Sequence, residues 1–97
     1  MPTYIGLYKL TDQGIKDIKN GPQRFEQGLK SCEKMGGKLL GFYAVMGEYD
    51  YVGVGEFPND EVAMTWTMGI TSLGSVRIKT LKAFPIEEFH KLVKKLP

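Results

Sequence analysis

Between Leu39 and Phe57 the chain reads LLGFYAVMGEYDYVGVGEF, two runs rich in Val, Phe and Tyr separated by Gly47-Glu48-Tyr49-Asp50. Turn chemistry between two β-prone runs is the pattern of a hairpin. A hairpin in mid-chain makes these strands the centre of a small sheet, and the flanking segments have to complete and cover it. The expected strands are about Lys38 to Val45 and about Tyr49 to Phe57.

Thr3 to Leu10 alternates two sets, Thr3, Ile5, Leu7 and Lys9 against Tyr4, Gly6, Tyr8 and Leu10, as a strand does. The polar segment TDQGIKDIKNGP that follows, with Gly14, Gly21 and Pro22, reads as an irregular connection. Pro22 suits the first position of a helix, and Phe25, Leu29 and Cys32 then recur at helical spacing until Gly36-Gly37 can end it. A second helix begins after Pro58, with Asn59 or Asp60 as cap and Val62, Trp66 and Ile70 as its apolar stripe. Ser75 to Phe84 reads as a fourth strand, closed by Pro85. Ile86, Phe89, Val93 and Leu96 mark a short amphipathic C-terminal helix, acidic early and basic late.

The order βαββαβ predicts an α+β, ferredoxin-like sandwich: a four-stranded antiparallel sheet with both crossover helices on one face, in a single domain spanning residues 1–97. On parity, Ile5 and Leu7, Leu40 and Phe42, Val52 and Val54, and Val76 and Ile78 are expected to face the helices. The other face then collects Tyr4, Tyr8, Tyr43 and Tyr51 with several glycines, Arg77 and Lys79. Such a face is expected to meet a second copy of the chain or a ligand.

Composition narrows the function classes. One cysteine, Cys32, can form neither an internal disulfide nor a cysteine metal site, and the first residues lack the layout of a secretion signal, so a cytoplasmic location is expected. No apolar run is long enough for a membrane helix. The net charge of +2 comes without a dense basic stripe, so nucleic acid is not expected as a partner. No phosphate loop, nucleophilic triad or metal-ligand spacing is present, and no cofactor is expected.

Thr11-Asp12-Gln13-Gly14-Ile15, Pro22 with Arg24, Gly36-Gly37-Lys38-Leu39, Tyr43, Gly47-Glu48-Tyr49-Asp50, Glu56, and Gly74-Ser75-Val76-Arg77 with Thr80 together resemble the GYD-domain family over about Tyr4 to Phe89. Two departures are Glu48, inserted between the glycine and Tyr49-Asp50, and Trp66 with Met64 and Met68 on the second helix. The resemblance implies the dimeric α+β barrel superfamily, in which two ferredoxin-like subunits face their sheets across a dyad. It implies no particular reaction.

Two classes of function remain. One is a homo-oligomer holding a small apolar or anionic molecule between sheet and helices, with Tyr8, Tyr43, Tyr51, Trp66 and Arg77 as candidate contacts. The other is a noncatalytic assembly or regulatory module. Cofactor-free monooxygenase or isomerase chemistry is a variant of the first, for which His90, the only histidine, and Tyr43 are the acid-base candidates. Asp50 and Glu56 are expected to be structural, Glu56 by turning toward the helices to pair with Arg24 or cap the second helix.

Overall fold

The computed structural model describes Met1–Pro97. Its elements are β1 (Thr3–Leu10), α1 (Asp12–Lys16), a 3-10 turn (Ile18–Asn20), α2 (Gly21–Lys34), β2 (Lys38–Ala44), β3 (Tyr51–Glu56), α3 (Asp60–Ser72), β4 (Val76–Ala83) and α4 (Ile86–Val93). The strands form one antiparallel sheet in the order β2-β3-β1-β4. Cys32 of α2 and Ala63 of α3 pack in one cluster with Tyr4 and Phe57, which puts both crossover helices on the same face. This is the ferredoxin-like α+β arrangement.

The segment expected as an irregular connection is instead α1 and the 3-10 turn. Thr11 caps α1 by accepting from the Gly14 N–H at 3.1 Å, so one of the orphan amides of the first turn is satisfied. Asp17 and Arg24 pair at 2.9 Å and tie the turn to α2. Short polar helices carry little apolar periodicity, which is why the sequence pattern does not announce this one.

The parity of two strands is the reverse of the expectation. In β1, Tyr4 and Tyr8 are buried under the helices, and in β3 it is Tyr51, Gly53 and Gly55 that share their side. Ile5, Leu7, Val52, Val54 and Glu56 therefore lie on the open face. Both alternate sets are apolar, so binary pattern cannot choose. Contacts with distant segments do: Tyr4 packs with Cys32 and Phe57, Tyr8 with Phe42, and a Cβ on Gly53 would lie 3.0 Å from Phe42. β2 carries an irregularity between Leu39 and Gly41, which places Phe42 toward the helices as expected but leaves Leu40 half exposed on the open side. Val76 and Ile78 of β4 face the helices as expected.

Segments far apart in sequence are clasped at one end of the sheet. The Thr11 N–H donates to the Ser75 carbonyl at 3.0 Å, the Thr11 hydroxyl donates to the Gly74 carbonyl, and Gln13 reaches the Leu73 carbonyl at 3.4 Å. Gly74 has φ +89°, a left-handed conformation that favours glycine. At the same end Asp50 accepts from the Leu10 N–H at 2.8 Å and donates its own N–H to the Tyr8 carbonyl at 2.8 Å, so it holds the hairpin tip to β1.

These contacts predict opposite outcomes for two helical glycines. A Cβ at Gly14 would fall 2.1 Å from the Ser75 carbonyl oxygen, whereas at Gly69 of α3 it would meet nothing within 4 Å. Gly14→Ala is expected to destabilise by about 2 kcal/mol or more through overpacking. Gly69→Ala is expected to stabilise by about 0.5–1 kcal/mol through helix propensity. Denaturant unfolding of the two variants measures both.

Candidate functional site

The ring-and-glycine face of the sheet does not close against its helices. A largely apolar cavity of about 610 Å³ lies between them. Its walls come from four strands and two helices: Tyr8, Phe42, Tyr51 and Ile78 from the sheet, Phe25 and Leu29 from α2, and Trp66 and Ile70 from α3. This lies in the range of small-molecule sites, which are mostly apolar with a few placed polar groups.

One end of the cavity is closed by the packed cluster of Tyr4, Cys32, Phe57 and Ala63, with Val62 and Trp66 against it. Phe57 stands at 5.5 Å from Trp66 and 5.9 Å from Tyr4, ring centre to ring centre. The indole N–H of Trp66 donates to the Gly28 carbonyl at 3.1 Å and fixes the separation of α3 and α2. Along the floor Phe42 is surrounded by rings, with Phe25 at 4.9 Å, Tyr8 at 5.3 Å and Tyr51 at 5.5 Å. Edge and offset arrangements of this kind favour aromatic pairs beyond their buried area.

The electrostatics follow from burial. Desolvation pushes the Tyr4 phenol up to about 12, and its hydrogen bond to Asp60 adds to the shift. Desolvation likewise pushes Tyr8 to about 12. Burial also raises the Cys32 thiol, which disfavours the nucleophilic thiolate. At the outer edge Asp60 takes the Tyr4 hydroxyl and the Lys82 ammonium, the latter at 3.0 Å, and these partners hold its carboxyl below the usual range. The buried phenols and thiol facing the cavity are thus neutral, and the charged side chains on its lining are Arg24, Glu26 and Lys38.

Of the residues singled out from sequence, Tyr8, Tyr51 and Trp66 come together at the cavity. Tyr43 and Arg77 do not: both sit on the opposite, open face, Tyr43 beside Val52 and Arg77 beside Lys9. The acid-base candidates are therefore separated from the cavity, because Tyr43 is on the other side of the sheet and His90 is exposed on α4. Glu56 is also on the open face and neither caps α3 nor pairs with Arg24; Asn59 provides the cap, accepting from the Val62 N–H at 2.9 Å, and Asp17 takes the arginine. Phe25, Phe42 and Ile78 also line the cavity, although their spacing in the sequence reads as ordinary core. The signal that could have found them is the repeat of large rings alternating with glycines on β1 and β3, which no close-packed core can match without leaving space.

The alkaline limit of the fold tests this description. A phenol raised to about 12 in the folded chain against about 10 unfolded contributes stability fully below pH 10, and loses it as pH rises through 12. Tyrosinate absorbance and circular dichroism recorded together are expected to show the ionisation of two tyrosines coinciding with loss of structure near pH 12. Tyr8→Phe should move that transition to higher pH.

The comparisons with known proteins agree with this architecture. The family model described as GYD domain matches residues 4–93. A Thermus thermophilus protein named glutamine synthetase and cystathionine beta-lyase binding protein is 34% identical over 89 residues, covering 91% of this chain and 94% of its own length. A crystal structure of a protein from Thermus thermophilus superposes with a TM-score of 0.53 at 25% identity, covering 88% of this chain and 95% of the other. On the extent of the family match and the similarity to that relative, the chain belongs to the GYD-domain family.

Proposed function

We propose that this chain is a binding protein that holds a small, uncharged and largely apolar molecule between its sheet and its helices, and that a second copy covers the open face of the sheet. The observation that carries the ligand is the 610 Å³ cavity, lined mostly by apolar side chains with rings from both layers.

The open face supports self-association. Ile5, Leu7, Val52, Val54 and Leu81 form an apolar centre, an area that gains about 25 cal/mol per Å² when covered. Lys9 lies directly opposite Arg77, next to Lys79, an unfavourable cross-strand arrangement on its own. Glu56 stands at the other end of the same face. A two-fold axis crossing the strands would bring Glu56 of each copy over the cations of the other, which is the self-complementarity an isologous dimer needs.

A second reading, regulation by binding another protein, is favoured by the name of the similar Thermus thermophilus protein, which describes it as binding two enzymes. In that reading the cavity is the input and the open face, or the surface built on it, is the output.

Titration with the uncharged fluorophore N-phenyl-1-naphthylamine tests the cavity. Ile78→Trp, which fills it, is expected to weaken binding at least about tenfold, while Arg77→Ala leaves it within about twofold; the reverse pattern would put the site on the open face. Sedimentation tests the dimer separately. Val54→Lys should shift the protein toward monomer, and Lys34→Glu, on the exposed side of α2, should not.

A further inference from the structure

Two uncovered surfaces of this chain match each other, and neither belongs to the cavity or to the open face of the sheet. The first is α4. Every residue from Phe84 to Pro97 is exposed, and Ile86, Phe89, Val93 and Leu96 make one continuous apolar stripe with charged residues on the opposite side. The molecule measures 53 × 31 × 18 Å and has a radius of gyration of 14.8 Å. A compact chain of this length has a radius of about 12.5 Å, so the helix stands away from the body.

The second surface is the outer side of α3. Met64 and Met68 are each more than half exposed there, and Gly69 lies open beside them. No charged residue occurs from Val62 to Val76. The hydroxyls of this helix are already satisfied: Thr65, Thr67, Thr71 and Ser72 each donate to a carbonyl three or four residues back, at 2.7–3.0 Å. The face therefore offers methyl and thioether groups with no polar demand for water, and thioethers adapt readily to a partner.

Charge decides which α3 this α4 can use. Asp60 bonds Lys82 at 3.0 Å, so α3 begins beside the end of β4. Only Phe84 and Pro85 separate β4 from α4, a reach of about 10 Å. Folding back onto its own α3 would thus lay α4 parallel to it, with Glu87 and Glu88 against Asp60 and Glu61. On another copy the helix is free to run antiparallel. That sets Lys94 and Lys95 beside Glu61, which has no ion pair within the chain, and opposes the two helix dipoles favourably.

We infer that α4 of one copy docks antiparallel on the outer face of α3 of a second copy, with Phe89 seated beside Met68 and Gly69. The two helices are 8 and 13 residues long, so the stripe fits within the face. The contact is an exchange of C-terminal arms.

Disulfide trapping tests it. Full-length Met64→Cys and Val93→Cys chains are mixed and oxidised; Cys32 is buried and remains in place. The expected product is a covalent dimer of one chain of each kind, in clear excess over dimers of like chains. The double variant Met64→Cys/Val93→Cys is the control. If it closes within one chain at monomer mass, α4 docks on its own α3 and the inference is overturned, as it is by like-chain dimers in equal yield or by no trapping. Phe89→Asp should abolish trapping with the thermal midpoint unchanged, because α4 contributes no buried residue to its own body. Glu61→Lys should cut the trapping yield about tenfold, and Lys94→Glu/Lys95→Glu in the other chain should restore it.

Discussion

Rings laid across glycines on the inner face of the sheet set the terms for the rest of the structure. Tyr8 covers Gly6 and Phe42 covers Gly53, so the sheet presents flat aromatic surface where branched side chains would otherwise interlock with helices. Helices above such a floor meet it only where another ring stands up to them. They do so at one end, through Phe57 and Trp66, and beside Phe42 through Phe25. Elsewhere they span the gap, and the space they span is the cavity.

That arrangement needs the separation of helices and sheet to be fixed by something other than close packing. The Trp66 hydrogen bond to the Gly28 carbonyl holds α3 to α2, the Tyr4–Asp60–Lys82 chain ties the start of α3 to β1 and β4, and the Thr11–Ser75 clasp ties α1 to the start of β4. Much of what makes the chain look like its family falls on these ties: Thr11 to Gly14, Asp50, and Gly74-Ser75 are joints in the frame.

The charged residues are distributed by the same logic. On the inner side burial raises the two phenols and the thiol, and charge is confined to Lys82 with Asp60 and to Arg24, Glu26 and Lys38 on the cavity lining. Lys9, Arg77 and Lys79 are collected on the outer face of the sheet, where none of them forms an ion pair within 4.0 Å in its own chain.

The order of the strands and the two crossover helices, the number and sense of the strands, a cap for α3 at Asn59 or Asp60 and the amphipathic character of α4 were legible in the sequence, because each depends on local periodicity or on a turn and cap residue at a definite place. What the tertiary structure alone decided was the facing of β1 and β3. Ile5 and Leu7 are as apolar as Tyr4 and Tyr8, so alternation defines two faces without ranking them. The choice is made by long-range contacts, in which Tyr4 meets Phe57 and Cys32 while Tyr8 meets Phe42. That one choice carried Glu56 to the outside and parted Tyr4, Tyr8 and Tyr51 from Tyr43 and Arg77, which stay on the open face as expected.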